Sequence, residues 1–227
     1  MHAVLIAENE EDMEFLAFLL RQMGLSLLRH TKLTAVSDFL AQNNVNLILV
    51  AQENPAVKNI ATLRELSQAP VLLLIEEATE AQQCAFLDAG VDLILKRPYS
   101  PRILKRYIRN LVQRAASVPV SVQSAIQAGD VSLDPETHSV QVKDGAAQRL
   151  TSLEFRLLTL FITNPNHVIP LETIIEHVWG YDGDGDKELV RGLVRRLRRK
   201  IEPIPKEPQY IHNLPGIGYQ FVTKDEG

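Results

Sequence analysis

The stretch "ELVRGLVRRLRRKIE", residues 188–202, places six basic side chains between positions 191 and 200 of a chain whose net charge is −4. At about 100° per residue, its apolar residues gather on one side of a helix and most of its arginines on the other. No acid occurs between residues 189 and 201, so neighbouring cations repel one another unless an anionic partner neutralises them. The stretch therefore predicts a helix that packs with one face and contacts an anion with the other.

A DNA duplex is an anionic partner of suitable shape for such a helix. The major groove admits one α-helix and is lined by phosphates on both rims. Arginine can also bind guanine through two hydrogen bonds, which lysine does less well. We predict that Gly192 lies near the middle of the contacting face, where the missing side chain permits close approach. The predicted basic residues of that face are Arg191, Arg195, Arg196 and Arg199. A solvated charged face without a partner is the alternative.

The segments around this helix predict a small domain that begins with an antiparallel sheet. Residues 131–150 alternate apolar and polar side chains and contain a turn sequence, Asp144-Gly145. A helix then begins with the capping-box pair Thr151 and Glu154, and "PLETIIEHVW", residues 170–179, predicts a second helix. The last apolar segment, "YIHNLPGIGYQFV" at residues 210–222, predicts a hairpin. Three helices and a terminal hairpin make a winged helix-turn-helix.

The first half of the chain has a different pattern. From residue 3 to about residue 114, short apolar runs alternate with helical patterns, as expected for buried parallel strands joined by helices. This pattern predicts a doubly wound α/β domain with a five-stranded parallel sheet. Residues 115–129, "AASVPVSVQSAIQAG", are small and polar and predict a linker. We therefore expect domains at residues 1–116 and 128–225, joined by a linker at residues 117–127.

Composition limits the functional classes. No apolar run approaches the roughly 18 residues needed to span a bilayer, and the start of the chain lacks the features of a signal peptide, so we expect a cytoplasmic protein without membrane contact. The single cysteine excludes a disulfide framework, and the six histidines show no pairing at ligand spacing. We predict no metal, no cofactor and no catalytic residue, hence a binding protein and not an enzyme.

Four strings of the second half resemble the effector domain of OmpR/PhoB-type response regulators, over nearly all of residues 129–223. They are "LTSLEFRLL", "VIPLETIIEHVWG", "LVRRLRRKIE" and "IHNLPGIGYQF", and they follow one another at the separations typical of that family. The resemblance implies that the third helix enters the major groove of double-stranded DNA and that the hairpin wing reaches the minor groove. It also implies that the loop at residues 180–187 can contact RNA polymerase.

The resemblance assigns roles to individual positions. Base contacts are implied for Arg191, Gly192 and Arg196, and phosphate contacts for Trp179, Arg195, Arg198 and Tyr219. Trp179 and Tyr219 could equally be core aromatics. The sequence departs from the family at the wing, where Pro215 replaces a common arginine, and at the helix start, where Glu188 stands in place of a frequent basic residue. These departures indicate a target sequence that differs from those usual in the family.

The resemblance extends to the first half as a receiver domain with a flavodoxin-like fold, but the residues of its phosphorylation chemistry are replaced. In the family that chemistry uses an acidic pair for Mg²⁺, a nucleophilic aspartate, a hydroxyl residue and a lysine before a proline. Here those positions hold Glu8 and Asn9, Ala51, Ile75 and Arg97. A methyl group cannot attack phosphorus, so we predict a degenerate pocket that accepts no phosphoryl group.

Two further expectations concern this pocket. Glu53 is an alternative nucleophile. It would occupy the nucleophile position only if the strand ended two residues later, beyond its apolar run, and we therefore reject this alternative. Arg97 could form an ion pair with Glu8 and so imitate a filled site without phosphate.

The family's receivers dimerise through an ionic network whose positions are apolar or aromatic here. The network positions hold Leu93, Ile103 and Tyr107, Ile94 stands at the family's switch aromatic, and Leu111 extends the apolar side of the same helix as Ile103. We predict a homodimer through the receiver domain in which apolar burial at Leu93, Ile103, Tyr107 and Leu111 replaces ion pairs. Alternatively, the extra apolar surface packs on the effector domain within one chain.

The sequence thus predicts a sequence-specific DNA-binding transcription regulator that acts as a phosphorylation-independent dimer. One alternative is a regulator whose receiver is switched by a small molecule or a protein partner instead of phosphate. Ala51 and Ile75 leave room in the pocket for an apolar group. Another is an adaptor that uses the arginine-rich helix on an acidic protein instead of DNA.

Overall fold

The computed structural model describes residues 1–116, 125–181 and 187–223. The chain divides into two compact units, Met1–Ala116 and Ser117–Gly227. Most of the predicted linker, residues 117–124, lies outside the described residues. Within the described part of the chain, every helix is too short or too polar to cross a membrane.

The N-terminal unit is a five-stranded parallel sheet with helices between its strands. Its strands are β1 (His2–Ala7), β2 (Ser26–His30), β3 (Leu47–Ala51), β4 (Val71–Ile75) and β5 (Leu93–Lys96). Its helices are α1 (Glu10–Gln22), α2 (Ser37–Gln42), α3 (Val57–Leu66), α4 (Glu80–Ala89) and α5 (Pro101–Ala116), with a 3₁₀ turn at Leu33–Val36. The strand order β2-β1-β3-β4-β5 and the parallel pairings confirm the predicted doubly wound fold.

The three central strands are apolar throughout because helices cover both faces of the sheet. Every residue of β3 and β4 is buried, as are five of the six residues of β1. Strands buried on both faces do not alternate with polar residues. Their carboxyl ends lie side by side in β1, β3 and β4, because Ala7 pairs with Ala51 and Ala51 with Leu74. That shared edge of the sheet is where receiver pockets form.

The C-terminal unit combines two antiparallel sheets with three helices. The first sheet contains β6 (Ile126–Ala128), β7 (Val131–Asp134), β8 (Ser139–Val142) and β9 (Gln148–Arg149) in sequence order. The helices are α6 (Ser152–Ile162), α7 (Leu171–Trp179) and α8 (Lys187–Ile201). The second sheet has the order β10-β12-β11, with β10 (Val168–Pro170), β11 (Ile211–Leu214) and β12 (Gly218–Phe221). The predicted antiparallel sheet, three helices and terminal hairpin are confirmed.

Strand β10 was not predicted from the sequence, since three residues between two helices give no periodic signal. It pairs with β12, and Ile169 lies opposite Tyr219. A Cβ atom added at Gly218 would lie 2.0 Å from the carbonyl oxygen of Ile169. Glycine at this position therefore permits the close approach of β10 that holds the base of the wing.

The predicted capping box at the start of α6 is present in full. The hydroxyl of Thr151 accepts a hydrogen bond from the backbone N–H of Glu154 at 3.2 Å, and the carboxylate of Glu154 accepts one from the N–H of Thr151 at 2.9 Å. Such reciprocal bonds satisfy two N–H groups that the first turn of a helix leaves without partners. The same carboxylate also contacts α8, and so it links the start of α6 to the arginine-rich helix.

Candidate functional sites

The exposed surface of α8 is a narrow basic stripe. Arg191, Arg195 and Arg199 are exposed and follow one another at four-residue spacing, so they project from one side of the helix. The opposite side packs into the unit through Val190, Leu193, Val194 and Leu197, all buried. This arrangement matches the predicted division of the helix into a packed face and a basic face.

Arg196 does not belong to the basic stripe, and its predicted role as a base contact is wrong for this conformation. Its side chain is buried, with the residue 7% exposed, and its Nε lies 3.5 Å from Oε1 of Glu154. Lys200 donates to the other carboxylate oxygen of Glu154 at 2.7 Å. Burial opposes ionisation of Glu154, but Lys200 and Arg196 outweigh it and lower the pKa of the carboxyl. Arg196 thus contributes to the packing between α8 and α6.

Gly192 is also buried, which corrects its predicted place on the contacting face. On a helix, residues 192 and 196 lie one turn apart and on the same flank as Leu189 and Leu193. That flank turns toward the domain interior, where α8 contacts α6 and α7. The lack of a side chain at Gly192 therefore allows α8 to pack against the domain interior, and Gly192 does not face a ligand.

Arg198 links α8 to the hairpin of β11 and β12, which is the predicted wing. Its Nε and Nη2 donate to the backbone oxygen of Ile211, at 3.2 and 2.7 Å. Burial lowers the pKa of this half-buried guanidinium, although Tyr219 and Glu202 act in the opposite direction. The predicted phosphate contact stays a prediction, because the side chain is partly exposed and sits between the helix and the hairpin.

The two aromatic candidates are both largely buried. Trp179 is 1% exposed and packs in the core at the end of α7, so it is a core aromatic and its indole is not presented to a phosphate. Tyr219 is 5% exposed and lies on β12. Burial raises the pKa of Tyr219, while the cations Arg198, Arg191 and Arg195 of α8 pull it down. Its hydroxyl is thus within electrostatic reach of the basic stripe, and its contact with phosphate stays a prediction.

The wing ends in an exposed apolar tip. Strands β11 and β12 pair from Ile211 and Phe221 to Leu214 and Gly218, and the turn between them contains Gly216 at a φ of +77°. Ile217 at the tip is highly exposed. Of the loop for which RNA polymerase contact was predicted, residues 182–186 lie outside the described residues.

The degenerate receiver pocket is assembled as predicted from the carboxyl ends of the strands. Glu8, Asn9, Ala51, Ile75 and Arg97 all line one small cavity, together with Asp12. The cavity encloses about 10 Å³, space for no more than one water molecule. The expectation of room for a small apolar ligand in this pocket is therefore wrong.

The ion pair inside the pocket differs from the one that was expected. Arg97 Nη2 lies 2.5 Å from Oδ2 of Asp12, whereas Glu8 accepts hydrogen bonds from Gln52 Nε2 and the N–H of Glu53, each at 3.2 Å. The hydrogen bond to Asp12 raises the pKa of Arg97 and outweighs its partial burial. The expected pairing of Arg97 with Glu8 is thus wrong, and the partner is Asp12.

The sequence did not single out Asp12 as a pocket residue, because it lies in the first turn of α1 and not at the end of a strand. Asn9 caps that helix by accepting the N–H of Asp12 at 2.7 Å, and its side-chain amide donates to the Asp12 carboxylate at 2.8 Å. The Asn-x-x-Asp spacing resembles a capping box and was the signal available in the sequence. The cap aims the Asp12 carboxylate into the pocket, where Arg97 meets it.

Two further positions of the pocket, the predicted nucleophile and hydroxyl positions, are apolar. Ala51 and Ile75 are almost completely buried. Ile75 belongs to a cluster of buried residues on one face of the sheet, and Ile94, at the family's switch position, packs against that cluster. The position that carries a hydroxyl group in phosphorylated receivers is thus part of an apolar core.

The predicted dimer surface is only partly available. Ile103 is 51% exposed and Tyr107 is half-buried on α5, as an interface requires. Leu93 and Leu111, however, are 3% and 1% exposed, because they face the interior from β5 and from the packed side of α5. Their assignment to the dimer interface is wrong, and the candidate surface is reduced to Ile103 and Tyr107.

Comparison with known proteins identifies relatives of the whole chain. Residues 145–221 match the family described as transcriptional regulatory protein, C terminal. The sensory transduction protein RegX3 of Mycobacterium bovis is 30% identical over 226 residues, which cover 97% of this chain and 99% of RegX3. The DNA-binding response regulator MtrA of Mycolicibacterium smegmatis is 31% identical over 191 residues, with 83% of this chain and 80% of MtrA covered.

A solved structure supports the same assignment at the level of fold. A mutant of RitR superposes with a TM-score of 0.78 at 17% identity, over 98% of this chain and 99% of that chain. The effector strings, the receiver topology and the end-to-end similarity to RegX3 lead to one conclusion: this chain belongs to the OmpR/PhoB family of response regulators.

Proposed function

We propose that this protein is a sequence-specific DNA-binding transcription regulator whose receiver domain, residues 1–116, works as a dimerisation module without phosphorylation. The observation that carries the proposal is the Arg97–Asp12 ion pair in a small pocket that has Ala51 in the nucleophile position. The effector domain, residues 128–225, supplies the contact with DNA. Family membership supports a regulatory role, and MtrA is named a DNA-binding response regulator.

The basic stripe on α8 supports DNA as the partner. Arg191, Arg195 and Arg199 are exposed on one side of a helix that the domain holds by its opposite side. A helix held in this way can enter a major groove, and the three guanidinium groups can contact phosphates or guanine. Arg198 and Tyr219 at the edge of the stripe would contact a phosphate on the groove rim.

The pocket supports independence from phosphate for three separate reasons. The side chain at residue 51 has no nucleophilic atom, and the one at residue 75 has no hydrogen-bond donor. The guanidinium of Arg97 neutralises Asp12, the acid that remains beside it. The Arg97 guanidinium and the Asp12 carboxylate thus supply, from the protein itself, the charges that Mg²⁺ and a phosphoryl group supply in other receivers.

The exposed apolar side chain of Ile103 supports a homodimer through α5. Large apolar side chains that are half exposed are typical of interaction surfaces when they cluster, and Tyr107 lies one turn from Ile103. Sedimentation of the full chain tests this part: wild-type protein should be a dimer at micromolar concentration and Ile103→Glu a monomer. Val57→Glu, a change at an exposed apolar position of α3, should leave the dimer intact. Monomeric wild-type protein would favour the alternative in which this surface packs within one chain.

DNA binding itself is tested by selecting duplexes from a random pool with untreated, full-length protein. The proposal expects enrichment of one sequence motif and an affinity that falls steeply with salt, because each phosphate contact lowers log K by about 0.9 per log unit of salt. Binding to acidic polypeptides but to no duplex would identify the adaptor alternative.

We also propose that the loop at residues 180–187 contacts RNA polymerase, as the family resemblance implies.

A further inference from the structure

Glu188 is the one acidic side chain of α8, which carries seven basic residues between Lys187 and Lys200. It lies in the first turn of the helix. A carboxylate at a helix N-terminus stabilises the helix through the helix dipole, typically by about 0.3–1 kcal/mol. Any of the first helical positions would serve that purpose, so the dipole alone does not explain why the acid lies on the basic stripe.

Glu188 is a member of the exposed stripe and not of a flank. Residues 188, 191 and 195 are three and four positions apart, so they lie above one another on one side of the helix. The side chains of Glu188 and Arg191 form an ion pair, and they are 37% and 57% exposed. The pair is therefore presented to whatever binds the stripe, at its N-terminal end.

The charge of the Glu188 carboxylate also influences Tyr219 on β12, at the wing side of the same surface. Among the charges that influence Tyr219, Glu188 raises the pKa of the phenol while three arginines lower it. Glu188 thus lies on the side of α8 from which its charge reaches Tyr219 of β12. A negative charge there repels phosphates and lowers the affinity for every sequence, unless it gains a hydrogen-bond donor from the DNA.

We propose that Glu188 determines sequence specificity by accepting a hydrogen bond from the N4 amino group of a cytosine in the major groove. Arg191, held beside it by the ion pair, would bind a guanine of the same or the adjacent base pair. The inference rests on the proposed function, since it requires that α8 enter a duplex. In helix-turn-helix proteins the N-terminal residues of the recognition helix contact base edges, and Glu188 occupies that place.

The base edges explain why cytosine is the expected target. Cytosine presents an amino donor in the major groove without an acceptor beside it, which suits a carboxylate. Adenine also presents an amino group, but its N7 acceptor lies next to that group and repels the carboxylate. Guanine and thymine present oxygen acceptors at the corresponding places. A carboxylate on this stripe therefore favours cytosine over the other three bases, whereas a phosphate contact would favour none.

The test is selection from a random duplex pool with full-length wild-type protein, Glu188→Gln and Glu188→Ala. Wild-type protein should enrich cytosine at one position of each half-site, with a preference of roughly fivefold or more. An amide binds the N6 and N7 groups of adenine together, so Glu188→Gln should change that position from cytosine to adenine. Glu188→Ala should lose the preference at that position and bind non-cognate duplexes more tightly.

Glu207→Gln is the matched control, since it removes one negative charge from an exposed residue beyond α8. It should leave the selected sequence unchanged. Identical base preferences for wild-type protein and Glu188→Gln would overturn the inference and leave DNA binding intact, even if the affinity for all sequences rose. If wild-type protein enriched no duplex, the proposed function and this inference would fall together.

Discussion

Arg97 and Asp12 form an ion pair whose nearest atoms, Nη2 and Oδ2, are 2.5 Å apart, although the residues are 85 positions apart in the chain. Arg97 follows β5, and Asp12 lies one turn inside α1. The pair joins the start of α1 to the segment after β5, and the Arg97 guanidinium also lies 5.6 Å from the centre of the Tyr99 ring. A contact between residues of the protein thus occupies the place where other receivers respond to phosphate.

Replacing Arg97 by alanine should destabilise the N-terminal unit. The change leaves the largely buried Asp12 carboxylate next to Glu8 without its cation, and we expect a loss of about 1–2 kcal/mol in the free energy of unfolding. Urea denaturation followed by circular dichroism measures the effect. The control is Arg29→Ala, which removes an exposed ion pair with Glu14 and should change the stability by less than about 0.5 kcal/mol. Equal effects of the two changes would show that the pocket pair has no special role.

Restoring a carboxylate at residue 51 should not restore phosphorylation. In Ala51→Asp the new side chain enters a small cavity beside Glu8 and Asp12, while Ile75 still offers no hydroxyl and Arg97 still pairs with Asp12. We expect a less stable protein that incorporates no phosphoryl group from acetyl phosphate, as measured by intact-protein mass spectrometry. A phosphorylated Ala51→Asp protein would show that the missing aspartate alone had inactivated the pocket.

Arg195→Ala and Arg196→Ala should affect different properties, DNA binding and stability, although the two residues are neighbours. Arg195 is exposed, so its removal should reduce the salt dependence of DNA binding by about 0.9 in the slope of log K and leave the stability nearly unchanged. Arg196 is buried against Glu154, so its removal should lower the unfolding free energy by about 2–4 kcal/mol. Fluorescence of Trp179, the single tryptophan, reports the unfolding of this unit. A stable Arg196→Ala protein with altered base preference would restore Arg196 as a base contact.

The stability of the C-terminal unit should fall in acid because of Glu154. The pKa of Glu154 in the folded state lies below its ordinary value of 4.5, so its stabilising effect is present above that pH and is lost as the pH falls through the folded pKa. Glu154→Gln has no such titration, and its stability should change less between neutral pH and acid. Denaturation of both proteins over a pH series, followed by Trp179 fluorescence, measures the difference. Parallel pH profiles would contradict the assigned coupling with Lys200 and Arg196.

Much of this architecture could be predicted because its signals are local. The capping box of α6, the apolar strands of the parallel sheet and the basic face of α8 each depend on residues close together in the chain. The errors concern residues whose role depends on a distant partner. Arg196 is buried because Glu154 lies beneath α8, and Arg97 turns to Asp12 because Asn9 places that carboxylate in the pocket.

Helical periodicity also left the flanks of helices undecided. Gly192 lies at the border between the packed and the exposed face of α8, and the periodicity placed it on the wrong side. The apolar character of Leu93 and Leu111 predicts an interface between two chains, whereas both side chains belong to the core of one chain. The width of an apolar face in the sequence does not show how much of that face is buried within the same chain.

The central claim is that this regulator binds DNA without a phosphoryl group on its receiver. The most direct test measures the affinity of the full-length protein for its selected duplex, before and after incubation with acetyl phosphate and Mg²⁺. We expect tight, salt-dependent binding in the untreated sample, the same dissociation constant after treatment, and no change in mass. Binding that appears or strengthens only after treatment, together with an added phosphoryl group, would contradict it.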